Sequence, residues 1–278
     1  MSDPDILLGL IGDNIAASRS PRLHELAGAQ NDTHVRYDRL VPADIGADFD
    51  AIFDGLGAKG YRGSNVTYPY KERGAKKVTI DDPLVRAIGA INTVIFDDAN
   101  APKGFNTDYS GFMAAYMRTR KDEKPGITLM IGTGGVGRAV AFGLIALGVT
   151  ELRLVDMDLA KAEALANDLR AAAPDITISA GTDAAMAANG ANGLINCTPV
   201  GMVGKDGTPL PAPAMTGAQW AFDAVYTPVD TEFLTDATKA GLSIISGWEL
   251  FFYQGVHAWK LFSGLPLDET RLRQDLLS

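Results

Sequence analysis

Ile127-Thr-Leu-Met-Ile-Gly-Thr-Gly-Gly-Val-Gly-Arg138 is the stretch whose reading decides the fold. Ile127 to Ile131 reads as a buried strand, and Arg138 to Leu147 as an apolar helix. Between them, Gly132-Thr-Gly-Gly-Val-Gly137 fits Gly-x-Gly-x-x-Gly in the strand–turn–helix setting that separates a dinucleotide site from an ordinary turn. Gly132 permits the turn, Gly134 lets a pyrophosphate approach the backbone, and Gly137 lets helix and strand come close. The helix N-terminus adds open N–H donors and a partial positive charge. A second strand, Leu152-Arg-Leu-Val155, ends on Asp156, where an acid can bond a ribose 2′-OH. These features predict a Rossmann domain in a nicotinamide enzyme.

The same alternation extends in both directions. Downstream, strands are predicted at Ile176–Ser179, Gly193–Cys197, Trp220–Val225 and Leu242–Ile245, with helices between most of them, including Leu159 to Ala172. That pattern implies a mostly parallel, doubly wound sheet. Upstream, Ile6–Ile11, Val35–Val41 and Tyr61–Thr67 read as strands, and Arg22–Gln30 and Ile45–Leu56 as helices. Ala90–Phe96 should pair with Lys103–Asn106 across the turn 97–102, before a helix from Ser110 to Arg120. The fold class is therefore α/β in two domains. Residues 1–109 would form an N-terminal α/β substrate domain and 110–246 the dinucleotide domain. The polar run Lys121-Asp-Glu-Lys-Pro-Gly126 precedes the latter's first strand. Residues 247–278 would be C-terminal helices returning to the first domain, since Trp248–Phe262 is apolar around most of its circumference.

Composition narrows the partners. A chain of 278 residues with net charge -9 and no basic block is a poor match to nucleic acid or an anionic membrane. No apolar run approaches the ~18 residues of a membrane span. The single cysteine, Cys197, excludes an internal disulfide and a cysteine metal cluster, and the three histidines lack ligand spacing. The expectation is a cytoplasmic, metal-free enzyme acting on a small molecule, as a monomer or homodimer.

Three further segments carry chemistry. Ser18-Arg-Ser-Pro21 follows the first strand, and Ser20 could cap a helix with Pro21 as its first residue. Two hydroxyls at a helix N-terminus also make a seat for a carboxylate, and spacing alone leaves both readings open. Asn65-Val-Thr-Tyr-Pro-Tyr-Lys71 follows a strand, so Lys71 is either a solvated charge or an acid–base ammonium at a strand's C-terminal end. Gly104-Phe-Asn-Thr-Asp108 ends another strand, and Asp108 has the same ambiguity as a helix cap.

Taken together, Ser18-x-Ser-Pro, Asn65-x-Thr-x-x-x-Lys71, Gly89-Ala-Ile-Asn-Thr93, Asn106-Thr-Asp108, the glycine loop, Asn196-Cys-Thr-Pro-Val-Gly-Met202, Tyr226-x-Pro228 and Gly247…Gln254 resemble the shikimate dehydrogenase family over essentially the whole chain. The resemblance implies a cyclohexane or cyclohexene carboxylate as substrate. It assigns Ser18 and Ser20 to the carboxylate, and Thr67, Asn92, Asp108 and Gln254 to ring hydroxyls, with Tyr226 nearby. Lys71 and Asp108 become the catalytic pair. Gly132, Gly134, Gly135, Val136, Asp156, Thr198, Pro199, Ala224 and Gly247 fall to the cofactor. Hydride removal from a secondary alcohol also requires loss of the hydroxyl proton, which a positioned Lys/Asp pair can manage.

Two departures mark this chain within the family. Asp156-Met-Asp158 stands where many members carry basic residues for the NADP 2′-phosphate, and predicts NAD, with NADP disfavoured. Gly247-Trp-Glu-Leu-Phe-Phe-Tyr-Gln254 is bulkier at Trp248 and Phe251 than the common family pattern. Both features look closer to the NAD-using quinate/shikimate branch. An aminoshikimate-type dehydrogenase, a catalytically silent metabolite sensor and a folate-type enzyme are the competing readings. Lys71, Asp108 and the complete glycine loop argue against the sensor, and the serine pair with Asn106-Thr-Asp108 against the folate-type enzyme. His24 and His257 read as packing or surface groups on predicted helices, and Cys197 as a core thiol.

Overall fold

Strand β1 (Ile6–Ile11) pairs in parallel with β2 (Val35–Leu40) on one side and β3 (Gly63–Val66) on the other. Two antiparallel strands, β4 (Thr93–Ile95) and β5 (Lys103–Phe105), extend the sheet to the order β2-β1-β3-β4-β5. This arrangement comes from a computed structural model that describes residues 3–97 and 101–278. Parallel neighbours need crossovers, supplied by the helices Ser20–Ala29 and Phe49–Gly55. The C-terminal ends of β1 and β3 therefore lie at one edge, and the loops that leave them carry Ser18, Ser20, Thr67 and Lys71. Residues 98–100 of the turn expected between β4 and β5 lie outside the described residues.

Two local expectations are corrected. The apolar spacing from Ile45 to Leu56 reads as one helix, but Gly46 adopts a left-handed φ of 72° and ends a short helix, Pro42–Ile45. Asp48 then caps a second helix, accepting the Ala51 N–H at 2.9 Å. Nor is Ser20 the cap of its helix: Arg19 holds that position, no side chain caps it, and the Ser20 N–H instead donates to Ser18 Oγ at 3.3 Å.

The second sheet is parallel throughout. It contains β6 (Ile127–Ile131), β7 (Glu151–Val155), β8 (Thr177–Gly181), β9 (Gly193–Asn196), β10 (Trp220–Asp223) and β11 (Ser243–Ile245), in the order β11-β10-β9-β6-β7-β8. Chain order reverses between β6 and β9. This is the doubly wound Rossmann topology, and that switch point is where such sheets open a crevice for a ligand.

The chain divides into two compact units, Met1–Thr107 with Gln254–Ser278, and Asp108–Tyr253. In the first, Leu8, Leu10, Tyr37, Trp259 and Phe262 share one buried core, so the helix Gly247–Ser263 contributes its C-terminal half to this unit. The last helix, Glu269–Leu277, returns to the same unit: Arg19 Nη2 donates to the Leu276 carbonyl at 2.6 Å and Arg22 Nη2 to that of Asp275 at 2.8 Å. In the second unit Leu129, Ile131, Leu194, Ala221 and Phe233 form the core around β6, β9 and β10.

Phe262 is 1% exposed, lies where a side chain at Gly63 would otherwise stand, and its carbonyl accepts from Arg62 Nε at 3.0 Å. Phe262→Ala should therefore lower the unfolding free energy of the unit containing it by about 3–5 kcal/mol. Urea unfolding checks this; a loss under about 1 kcal/mol would show that the returning helix is not part of that core.

Candidate active site

In the first unit, the loops after β1 and β3 are stitched together. The Thr67 N–H donates to the Ile11 carbonyl at 2.9 Å and the Asp13 N–H to that of Tyr68 at 3.2 Å. The Tyr70 hydroxyl closes the stitch on Asp13 Oδ1 at 2.8 Å. Ser18 and Ser20 thus leave the same sheet edge as Thr67 and Lys71. Lys71 opens the helix Lys71–Ala75, and its carbonyl accepts from the Ile91 N–H at 3.1 Å, beside Asn92.

Beneath this edge runs a buried polar floor. The Tyr37 hydroxyl donates to Asn65 Oδ1 at 2.7 Å, and Asn65 Nδ2 donates to the Asn92 carbonyl at 3.1 Å and to Thr93 Oγ1 at 3.0 Å. Asn92 Oδ1 accepts from the Thr107 N–H at 2.7 Å, with Thr93 Oγ1 and Thr107 Oγ1 at 3.0 and 3.1 Å. With its carbonyl oxygen so occupied, the Asn92 amide is held in one orientation. Asp108 follows Thr107 directly, so its backbone is held one residue from that anchor, and the residue is buried at 9% exposure. His24 stacks on Tyr37 with ring centroids 5.2 Å apart and planes 6° apart. Burial pushes the His24 imidazole down to about 3, against a weaker upward pull from Asn65, so it is a neutral packing group. His257 is likewise shifted down, by burial and then by Lys260.

The second unit holds the dinucleotide cradle. Gly132 has a φ of 96°, and a side chain there would meet the Cys197 carbonyl and the Thr198 N–H at 2.7–2.8 Å. Gly137 faces the Gly132 carbonyl, 2.1 Å from where its Cβ would stand, so helix and turn touch backbone to backbone. Gly134 and Gly135 have open space on the corresponding side, and no side chain caps the helix Gly135–Ala146. Backbone N–H groups and an unobstructed approach are what a pyrophosphate requires, so these residues fit a dinucleotide. At the end of β7, Asp156 Oδ2 accepts from the N–H and hydroxyl of Thr133 at 2.9 and 2.8 Å, and Oδ1 from the Asp158 N–H at 3.1 Å. Burial raises the Asp156 pKa, but these hydrogen bonds outweigh it and leave the carboxyl below its ordinary range.

The ends of β9 and β10 meet at a buried carboxylate. Asn196 Oδ1 accepts from the N–H and hydroxyl of Thr198 at 2.9 and 2.7 Å, which sets the Thr198-Pro199 turn. Asn196 Nδ2 and the Val225 N–H both donate to Asp223 Oδ1 at 2.9 Å, and the Thr231 hydroxyl to Oδ2 at 2.6 Å. Gly247 abuts the Ala224 and Val225 carbonyls, leaving no room for a side chain. Tyr226 stacks on Phe251 at 5.4 Å, and Trp248 tilts against the same ring at 5.3 Å.

The predicted residues therefore gather in two sets. Ser18, Ser20, Thr67, Lys71 and Asn92 share the edge of the first sheet, and Gln254 lies in the same unit, next to Gly255, whose backbone abuts Leu23 of the helix that Ser20 begins. Gly132 to Val136, Asp156, Thr198, Pro199 and Ala224 sit at the C-terminal ends of β6, β7, β9 and β10, with Gly247 against Ala224. Asp108 and Tyr226 also belong to that second unit. Sequence reasoning passed over Tyr37, Asn65, Thr93, Thr107, Thr133 and Asp223, although Asn65, Thr93, Thr107 and Thr133 stand inside quoted motifs. Their polar character in otherwise apolar strands or at strand ends is the signal that could have found them. Among the described residues no group of three or more His, Cys, Asp or Glu is arranged to hold a metal. No described helix is long and apolar enough to cross a membrane.

The model of the shikimate dehydrogenase substrate-binding domain matches residues 10–94. A quinate/shikimate dehydrogenase (NAD(+)) of Corynebacterium efficiens is 36% identical over 287 residues, covering 100% of both chains. A shikimate dehydrogenase (NADP(+)) of Pseudarthrobacter chlorophenolicus is 34% identical over 98% of this chain and 94% of its own. Among solved structures, quinate dehydrogenase from Corynebacterium glutamicum in complex with NAD aligns with a TM-score of 0.91 and 32% identity over 99% of each chain.

The Asp223 hub makes a pH-dependent contribution with a definite sign. Burial, the dominant influence, lifts this carboxyl to about 6 despite three stabilising hydrogen bonds. A carboxyl raised in the folded state favours folding when protonated. That contribution is full below the unfolded value and is lost as pH rises through the folded value. The unfolding free energy of the wild type relative to Asp223→Asn should therefore fall by about 3 kcal/mol between about pH 4 and about pH 6, then level off. Denaturant titrations of both proteins across that range check it; a difference independent of pH would contradict the raised carboxyl.

Proposed function

The chain belongs to the shikimate dehydrogenase family, and from that premise we propose that it is an NAD-preferring oxidoreductase interconverting shikimate with 3-dehydroshikimate and quinate with 3-dehydroquinate. The observation that carries the cofactor choice is the acidic turn Asp156-Met157-Asp158, whose first carboxylate is already tied to the glycine loop. A 2′-phosphate there would face like charge at short range. The basic groups nearby are engaged elsewhere: Arg138 with Asp168 at 2.7 Å, and Arg153 with Glu151 at 2.6 Å and with two carbonyls. Lys161 pairs with Asp158 itself, at 3.8 Å. The full-length relative named as an NAD enzyme supports the same reading.

For the substrate, Ser18 and Ser20 supply hydroxyls, and Asn92 a fixed amide donor, on one sheet edge with Thr67 and Lys71. This set suits a polyhydroxylated ring bearing a carboxylate. Lys71 and Asp108 are assigned as the acid–base pair that takes the proton from the reacting hydroxyl in oxidation and returns it in reduction. Asn92 and Gln254 hold neighbouring ring hydroxyls so that the carbon–hydrogen bond to be broken is presented correctly. When bound, the nicotinamide accepts or donates the hydride.

The purified chain should form NADH from NAD with shikimate or quinate. Lys71→Ala should lower kcat by about 10² to 10⁴-fold, the range for a general acid–base group, with a much smaller change in KM. Steady-state kinetics alongside circular dichroism check this. A folded variant with near-normal kcat would reduce Lys71 to a surface charge, and a wild type inert toward both substrates would remove the assigned activity.

A further inference from the structure

Thr133 occupies the position between the first two glycines of the loop, and two of its hydrogen bonds end on one atom. Its N–H and its hydroxyl both donate to Asp156 Oδ2, at 2.9 and 2.8 Å. The Asp158 N–H uses a position on Oδ1 at 3.1 Å. A carboxylate offers about four acceptor positions, so roughly one remains, on Oδ1. The Thr133 hydroxyl has committed its only proton to Asp156 but keeps its lone pairs. Both residues are only half-buried, so a ligand can reach them. The end of β7 thus presents two side-chain acceptors, Asp156 Oδ1 and Thr133 Oγ1, on a carboxylate and a hydroxyl already joined through Oδ2.

We infer that Thr133 is a specificity-determining residue of the cofactor site: its hydroxyl oxygen accepts one of the two vicinal adenosine-ribose hydroxyls, while Asp156 accepts the other. This rests on the reading of the chain as NAD-preferring and deepens it. A vicinal diol brings two donors on neighbouring carbons, which match two neighbouring acceptors. A 2′-phosphate brings acceptor oxygens and negative charge. It would need the proton that Thr133 has given to Asp156, and it would stand against the carboxylate. The one hydrogen bond therefore serves both sides of the discrimination, adding an acceptor for the diol and withholding a donor from the phosphate.

Thr133→Val isolates the hydroxyl, because valine keeps the shape of the side chain and the backbone N–H that also bonds Asp156. Dissociation constants for NAD and NADP, measured without turnover by isothermal titration calorimetry, provide the readout. Thr133→Val should weaken NAD by about two- to tenfold, the effect of one neutral hydrogen bond, and leave NADP unchanged or tighter. Thr133→Ser should restore wild-type NAD affinity. A second measurement uses NAD analogues lacking the adenosine 2′- or 3′-hydroxyl: one of the two deletions should weaken binding to the wild type yet make no difference in Thr133→Val. Equal weakening of NAD and NADP, unchanged NAD affinity in the valine variant, or deoxy analogues that bind both proteins in the same ratio would each overturn the inference while leaving the NAD reading intact. A wild type that binds NADP more tightly than NAD would overturn both.

Discussion

Two backbones meet, with no room for a side chain, where β6 turns into its helix. The Gly132 carbonyl lies where a Gly137 Cβ would stand, and Gly132 itself abuts Cys197 and Thr198 beyond β9. The glycine loop of the cofactor unit is built around that contact. It brings the helix N-terminus against the topological switch point, where parallel strands leave a crevice at their C-terminal ends. It fixes the distance from the glycine loop to the Thr198-Pro199 turn, and it sets Thr133 beside Asp156. A methyl added at Gly137 would stand 2.1 Å from the Gly132 carbonyl, so the backbone there would have to shift.

The first unit solves a different problem by different means. Its parallel strands bring hydroxyl, amide and ammonium groups to one edge, but short polar side chains on loops need holding. The buried chain Tyr37–Asn65–Thr93–Asn92–Thr107 holds Asn92, with each of its side-chain carbonyls and hydroxyls given a partner. Buried polar groups cost little only when satisfied, and a satisfied network also settles which way an amide faces. The orientation of Asn92 is therefore a property of the network and not of Asn92 alone. Asp223 plays the corresponding part in the second unit, joining two strand ends through three donors.

Much of this was legible in the sequence, for identifiable reasons. The Rossmann half announces itself because the tight backbone approach at Gly132 and Gly137 admits only glycine, and because parallel buried strands read as continuous apolar runs. Lys71, Asp108 and the serine pair stood out only as members of a spaced set, since each alone has a comfortable structural explanation. The break at Gly46 was missed because apolar spacing at 45, 49, 52, 53 and 56 continues smoothly across it, while a left-handed glycine interrupts the backbone without altering that pattern. Ser20 was misread as a cap because Ser-Pro is a good start signal, yet Ser18 Oγ takes up its N–H. The supporting roles of Tyr37, Thr107 and Asp223 were harder to read in one dimension, because they arise from residues 8 to 28 positions away.

The acidic end of β7, where Asp156 accepts from Thr133 and from the Asp158 N–H, underlies the proposed preference for NAD. Its most direct test is kcat/KM for NAD and for NADP, determined side by side on the wild-type chain at saturating shikimate or quinate. The account predicts a clear excess for NAD, which Asp156→Ser with Asp158→Arg should shift toward NADP. An NADP-favouring wild type would contradict it.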